Sequence, residues 1–226
     1  MSTMDMQNNL FYRLILHIYW LTVCNCYFFL FCIPFLLSLF WFWNHPNTIT
    51  LLLTLVSFIP IPPALTASYH VMGKIIREKQ VELTKSFFYG VKTNFIQCSM
   101  LGLFQAILTI ILAVDILFMK QHALGLYVIP FLYILLLLNV CVGIYLYPLL
   151  SYFQMKSWAA IKLAIWCFTT KWKTTIILSA LIALLYLLLY HFPKIPWYLV
   201  VGPFCFAVMY ITSHLFVEIE EHFQSN

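Results

Sequence analysis

Residues 124–150 read LGLYVIPFLYILLLLNVCVGIYLYPLL, an unbroken run with no charged side chain. A helix of that length rises ~40 Å, more than the ~30 Å hydrocarbon core of a bilayer. Five further apolar runs accompany it, at about 18–43, 49–72, 95–118, 174–190 and 196–217, and Asp115 is the one acid inside any of them. Transmembrane barrel strands would instead read as alternating segments of ~10 residues, and none is present. The spacing therefore predicts an all-α membrane protein of six transmembrane helices.

Composition leads to the same solvent. The chain has 226 residues, of which 64% are hydrophobic and 8% charged. Soluble domains carry about a quarter charged residues, so this chain lacks the polar groups to cover a globular surface. In hydrocarbon only helices and closed barrels satisfy every backbone group internally. The chain is read as a single integral membrane domain over 1–226. The first run is too long for a signal-peptide core and no small-residue cleavage site follows it, so it is expected to stay in the protein.

Orientation follows from basic residues, which are retained on the cytoplasmic side near segment ends. Lys74, Arg77, Lys79, Lys85 and Lys92 follow the second run, Lys156, Lys162, Lys171 and Lys173 follow the fourth, and Arg13 precedes the first. Only Lys120 and Lys194 fall on the other side. Both termini are expected in the cytoplasm, and the net charge of +5 reflects these loops and not a nucleic-acid partner.

Both basic loops carry amphipathic stretches. Over residues 78–95, Val81, Leu83, Phe87, Phe88, Val91 and Phe95 share one half of a helical wheel, with Glu78, Lys79, Glu82, Lys85 and Lys92 on the other. In the second loop Trp158, Ile161, Ile165, Phe168 and Trp172 form a stripe, and the lysines lie off it. Two cytoplasmic amphipathic helices are expected, offering a surface to lipid headgroups, to the underside of the bundle or to another protein. Each loop follows a segment with a proline near its inner half, Pro63 or Pro148. Such a same-orientation repeat differs from the inverted repeats of many secondary transporters.

Catalytic patterns are missing. The sequence has no G-x-S-x-G, no H-E-x-x-H and no glycine-rich phosphate loop, and no C-x-x-C pair among its seven cysteines. His214 and Glu218 are four apart on one helical face, but a zinc site needs three or four ligands. Asp115, near an outer end, reads as an interfacial acid. No catalytic residue, cofactor or metal is expected. Mid-span Asn25, Gln105 and Asn139 are candidates either for interhelical hydrogen bonds or for a polar pocket. Pro34 and Pro148 should kink their helices, and Ile59–Pro60–Ile61–Pro62–Pro63 should interrupt the second span and free carbonyls that need new donors.

Four stretches carry a family resemblance. Leu21–Pro34 (LTVCNCYFFLFCIP), Pro63–Lys79 (PALTASYHVMGKIIREK), Phe87–Phe95 (FFYGVKTNF) and Tyr147–Phe153 (YPLLSYF) occur in this order. Together they resemble the YesL family, bacterial integral membrane proteins defined by a domain of unknown function, over nearly the whole chain. Pro62–Pro63 stands where small residues are usual in that family. The resemblance implies a bacterial plasma membrane and no established reaction. It also implies an accessory role beside the membrane subunits of carbohydrate ABC importers. The alternative is a small uncoupled transporter whose pocket is lined by Asn25, Gln105 and Asn139; an intramembrane hydrolase using His214 and Glu218 ranks below both. Oligomeric state is left open.

Overall fold

In the computed structural model, which describes residues 10–78, 81–122, 125–153, 155–191 and 200–224, every regular element is a helix. They are α1 (Leu10–Asn44), α2 (Thr48–Phe58), α3 (Ile61–Arg77), α4 (Leu83–Met119), α5 (Gly125–Tyr152), α6 (Ser157–Thr170), α7 (Trp172–His191) and α8 (Val201–Gln224). Six helical segments are long and apolar enough to cross a membrane, α2 and α3 counting together as one. Lys79, Leu124, Lys194 and the start of the sixth expected span at 196–199 lie outside the described residues.

The α1–α2 turn is closed by a capping box. Thr50 N–H donates to Asn47 Oδ1 at 2.9 Å, and Asn47 N–H donates to Thr50 Oγ1 at 3.1 Å. The next break falls at the prolines. Pro60, Pro62 and Pro63 have no N–H, so the ladder of the second span cannot run through them. The helix ends at Phe58 and restarts at Ile61. Ser99 Oγ donates to the freed Ile59 carbonyl at 3.1 Å. By contrast, α1 continues past Pro34, and α5 past Pro130 and Pro148.

Helix α3 is the hub, packing against α1, α4, α5 and α8. Its buried residues are mostly small or short: Pro62, Pro63, Ala64, Thr66, Ala67, Ser68 and Gly73 occur beside Tyr69, Val71, Met72 and Ile75. Small side chains let backbones approach, which is how helices gain packing energy without a hydrophobic drive between them. Glycines on α4 complete the contact. A Cβ at Gly90 would lie 3.1 Å from Ala67 Cα, and one at Gly102 would overlap the Pro62 ring. This close packing uses single glycines set against another helix's small residues, with no G-x-x-x-G motif.

The amphipathic helix expected at 78–95 begins at Leu83 and meets the third span at a kink at Asn94 (φ −115°, ψ 16°), the two together making α4. Its apolar face is divided. Phe87 is 0% exposed and Leu83 and Val91 are buried, whereas Phe88 and Phe95 are open. The Phe87 ring sits 5.3 Å from Tyr27 and 5.9 Å from Phe31, so α1 covers it. Tyr27 Oη and Thr84 Oγ1 share a hydrogen bond of 2.8 Å across the same contact. Moment alone could not say what would cover that face. Lys85, Phe88 and Lys92 remain exposed.

The α3–α4 contact gives a direct test. Gly90→Leu forces a side chain into the Ala67 backbone and should cost about 1–3 kcal/mol, as overpacking of a filled core does. The expected result is a lower midpoint of thermal denaturation in detergent, with Gly90→Ala milder.

Candidate functional site

The three mid-span amides bond at two separate helix contacts, α1–α8 and α4–α5. Asn25 Oδ1 accepts the Gly202 N–H at 2.6 Å, in the first turn of α8. First-turn amides lack helical acceptors, so Asn25 acts as a cap supplied from another helix. A Cβ at Gly202 would stand 2.9 Å from the Leu21 carbonyl oxygen, which keeps α1 and α8 close.

Gln105 and Asn139 do meet, between α4 and α5. Gln105 Nε2 donates to the Asn139 carbonyl at 2.9 Å, and Asn139 Nδ2 donates to Thr109 Oγ1 at 2.9 Å. Tyr147 Oη donates to Gln105 Oε1 at 2.8 Å. Gly143 leaves room for the Gln105 amide, which a side chain there would overlap. These groups spend their bonding capacity on one another. Each of the three amides thus holds a helix contact, as the interhelical reading has it. Sequence reading missed Thr109 and Tyr147, whose polar ends face another helix and so leave no local pattern.

Polar groups gather instead where α3, α5, α6 and α8 end. His70 Nδ1 lies 3.1 Å from the Ser151 carbonyl, which can only accept, so Nδ1 carries the proton. Asn94 Nδ2 donates to the Leu150 carbonyl at 3.1 Å and Gln97 Nε2 to the Met155 carbonyl at 2.8 Å. These two amides, one turn apart, tie the kink of α4 to the chain leaving α5. Arg77 stacks over the Tyr152 ring at 4.5 Å, and Tyr152 Oη donates to Glu220 Oε2 at 3.1 Å. Lys171 pairs with Glu218. That pairing engages Glu218 with a lysine, while His214 is exposed. No group of three or more His, Cys, Asp or Glu comes together among the described residues.

Helix α6 crosses this end between α5 and α7. Ala160, Ala164 and Cys167 form its buried face, and Ile161 and Phe168 are half-buried. Burial pushes the Cys167 thiol up to about 11, so it is a neutral packing group near pH 7. Trp158 is 68% and Trp172 60% exposed, and Ile165 and Trp166 are also open. The predicted stripe is thus divided: Ile161 and Phe168 are half-buried, whereas Trp158, Ile165 and Trp172 face out. Lys162 lies 5.7 Å over Trp158, and Lys173 5.9 Å over Trp172.

If the α4–α5 amides are interhelical ties, Gln105→Leu and Tyr147→Phe should not act additively, because Tyr147 Oη donates to Gln105 Oε1. Gln105→Leu strands the tyrosine hydroxyl and Tyr147→Phe strands the amide oxygen, whereas the double change removes both. Thermal midpoints in detergent should yield a coupling of ~0.6–2 kcal/mol.

Comparison with known proteins adds a family context. Residues 14–116 match a family described as "Protein of unknown function, DUF624". That segment runs from α1 to near the end of α4. The chain is also 25% identical over 182 residues to "Uncharacterized protein YteU" of Bacillus subtilis (strain 168), covering 79% of this chain and 82% of that protein. No solved structure matches the chain. Among its described residues the chain is thus all helical, with six segments long and apolar enough to cross a membrane, and it is similar to proteins whose function is uncharacterised.

Proposed function

We propose that the chain is a non-enzymatic accessory subunit of a bacterial plasma membrane, acting by contact with the membrane subunits of a carbohydrate ABC importer. The observation that carries this reading is the contrast between its polar and aromatic groups. Mid-span amides are engaged in helix contacts, while Trp158, Ile165 and Trp166 of α6 and Trp172 at the start of α7 are exposed. Tryptophans are favoured anchors of protein contacts, and beside lysines they also suit the headgroup layer. Bilayer and partner can share such a helix. The importer itself is supported by the resemblance to the YesL family, with which the DUF624 match is consistent.

Photo-crosslinking from position 166 of the tagged, full-length protein tests the partner. The expected product contains an importer membrane subunit, and Trp158→Ser with Trp172→Ser should cut its yield by about tenfold or more, since anchoring tryptophans carry ~2 kcal/mol or more. Recovery of no transporter subunit, under conditions that preserve known complexes, would overturn the proposal. Orientation has its own test. With both termini and the two basic loops cytoplasmic, Lys156 and Lys173 should escape an impermeant amine reagent on intact cells and react in inverted vesicles.

A further inference from the structure

Most cations of the charged end have a partner. Lys85 pairs with Glu82 at 2.6 Å and Lys171 with Glu218, Arg77 stacks on Tyr152, and Lys162 and Lys173 lie over tryptophan rings. Lys92 and Lys156, like Lys74, have neither a carboxylate nor a ring partner among the described residues. Both line one open cleft of ≈ 600 Å³, together with Thr93, Phe95, Ile96, Gln97, Met100 and Ser157.

The walls of this cleft differ in chemistry. On one side Lys156 and Ser157 begin α6, and Lys156 gives its first turn no side-chain cap. Uncapped first-turn amides and two unpaired ammonium groups attract an anion, and phosphate is the common ligand of such an arrangement. On the other side Phe95, Ile96 and Met100 are exposed on α4, continuing from the Asn94 kink toward the middle of the span. A soluble phosphate has no use for that apolar shelf. A lipid does: its headgroup phosphate meets the lysines while an acyl chain lies along α4. The Gln97–Met155 hydrogen bond holds the start of α6 against α4, so the cleft is built into the fold.

We infer that this cleft binds the headgroup of an anionic phospholipid, held by Lys92, Lys156, Ser157 and the first turn of α6. The inference rests on the membrane reading and is independent of the importer partner. Two lysines facing one cleft repel each other, and a headgroup of net negative charge relieves that repulsion, whereas a zwitterionic headgroup brings a further cation beside the phosphodiester that both lipids share.

Native mass spectrometry of the full-length protein in detergent tests it, with phosphatidylglycerol, phosphatidylcholine and inorganic phosphate as separate probes. Phosphatidylglycerol should be retained at lower concentration than phosphatidylcholine. Lys92→Gln and Lys156→Gln should each weaken it about fivefold, and the pair ~25-fold, the effect expected of basic residues at an anionic surface. The single variants carry the test if the pair does not elute monodisperse. Lys92→Arg with Lys156→Arg should retain binding. Lys120→Gln with Lys171→Gln, which removes the same charge elsewhere, should leave it unchanged. Equal retention of the two lipids, or an equal loss in the Lys120/Lys171 control, would overturn the inference. Full displacement of phosphatidylglycerol by inorganic phosphate would overturn the lipid assignment in favour of a soluble anion.

Discussion

A carbonyl that loses its helical donor inside hydrocarbon must find another, and the second span is organised around that need. Pro60, Pro62 and Pro63 divide it into α2 and α3. Ser99 of α4 supplies the Ile59 carbonyl with a proton, which ties the break to the third span. Once separated from α2, α3 occupies the centre of the bundle, and its short side chains permit four helices to close on it. The same neighbour relation brings Gly90 against Ala67 and Gly102 against Pro62. One polar debt thus positions α4, and α4 in turn carries the Asn94 kink and the basic cleft.

The chemistry follows from this arrangement. Amides within the spans act in pairs or as caps, which leaves them little capacity to receive a solute. Groups still able to meet something else lie at the ends of α3, α5, α6 and α8: exposed tryptophans on α6 and two unpaired lysines beside it. The proposed role, contact with lipid or with protein, uses this surface.

Much of this was legible in the sequence, for definable reasons. Long uncharged runs must be helices in lipid, so all six spans could be read, and three prolines in four residues marked the break. What covers an apolar face could not be read. The wheel over 78–95 separated Phe87 from Lys85 correctly, but nothing local said that Tyr27 and Phe31 would cover it, because a hydrophobic stripe looks the same against lipid, bundle or partner. Asn25 was visible as a mid-span amide, and its acceptor role toward Gly202 depends on a residue 177 positions away. The hub had a signal that went unused: Ala64, Ala67, Ser68 and Gly73 crowd one span, and small residues on several sides of a membrane helix indicate neighbours on several sides.

The position of α3 has a consequence for biosynthesis. As an 11-residue helix, α2 rises only ~16 Å, too short to cross by itself. It must therefore enter the bilayer together with α3, whose Thr66, Ser68 and His70 are poorly suited to bare lipid. The innermost helix is nonetheless made early, and α8, one of the four that enclose it, is translated after the other three. Until α8 emerges, α3 keeps one flank uncovered.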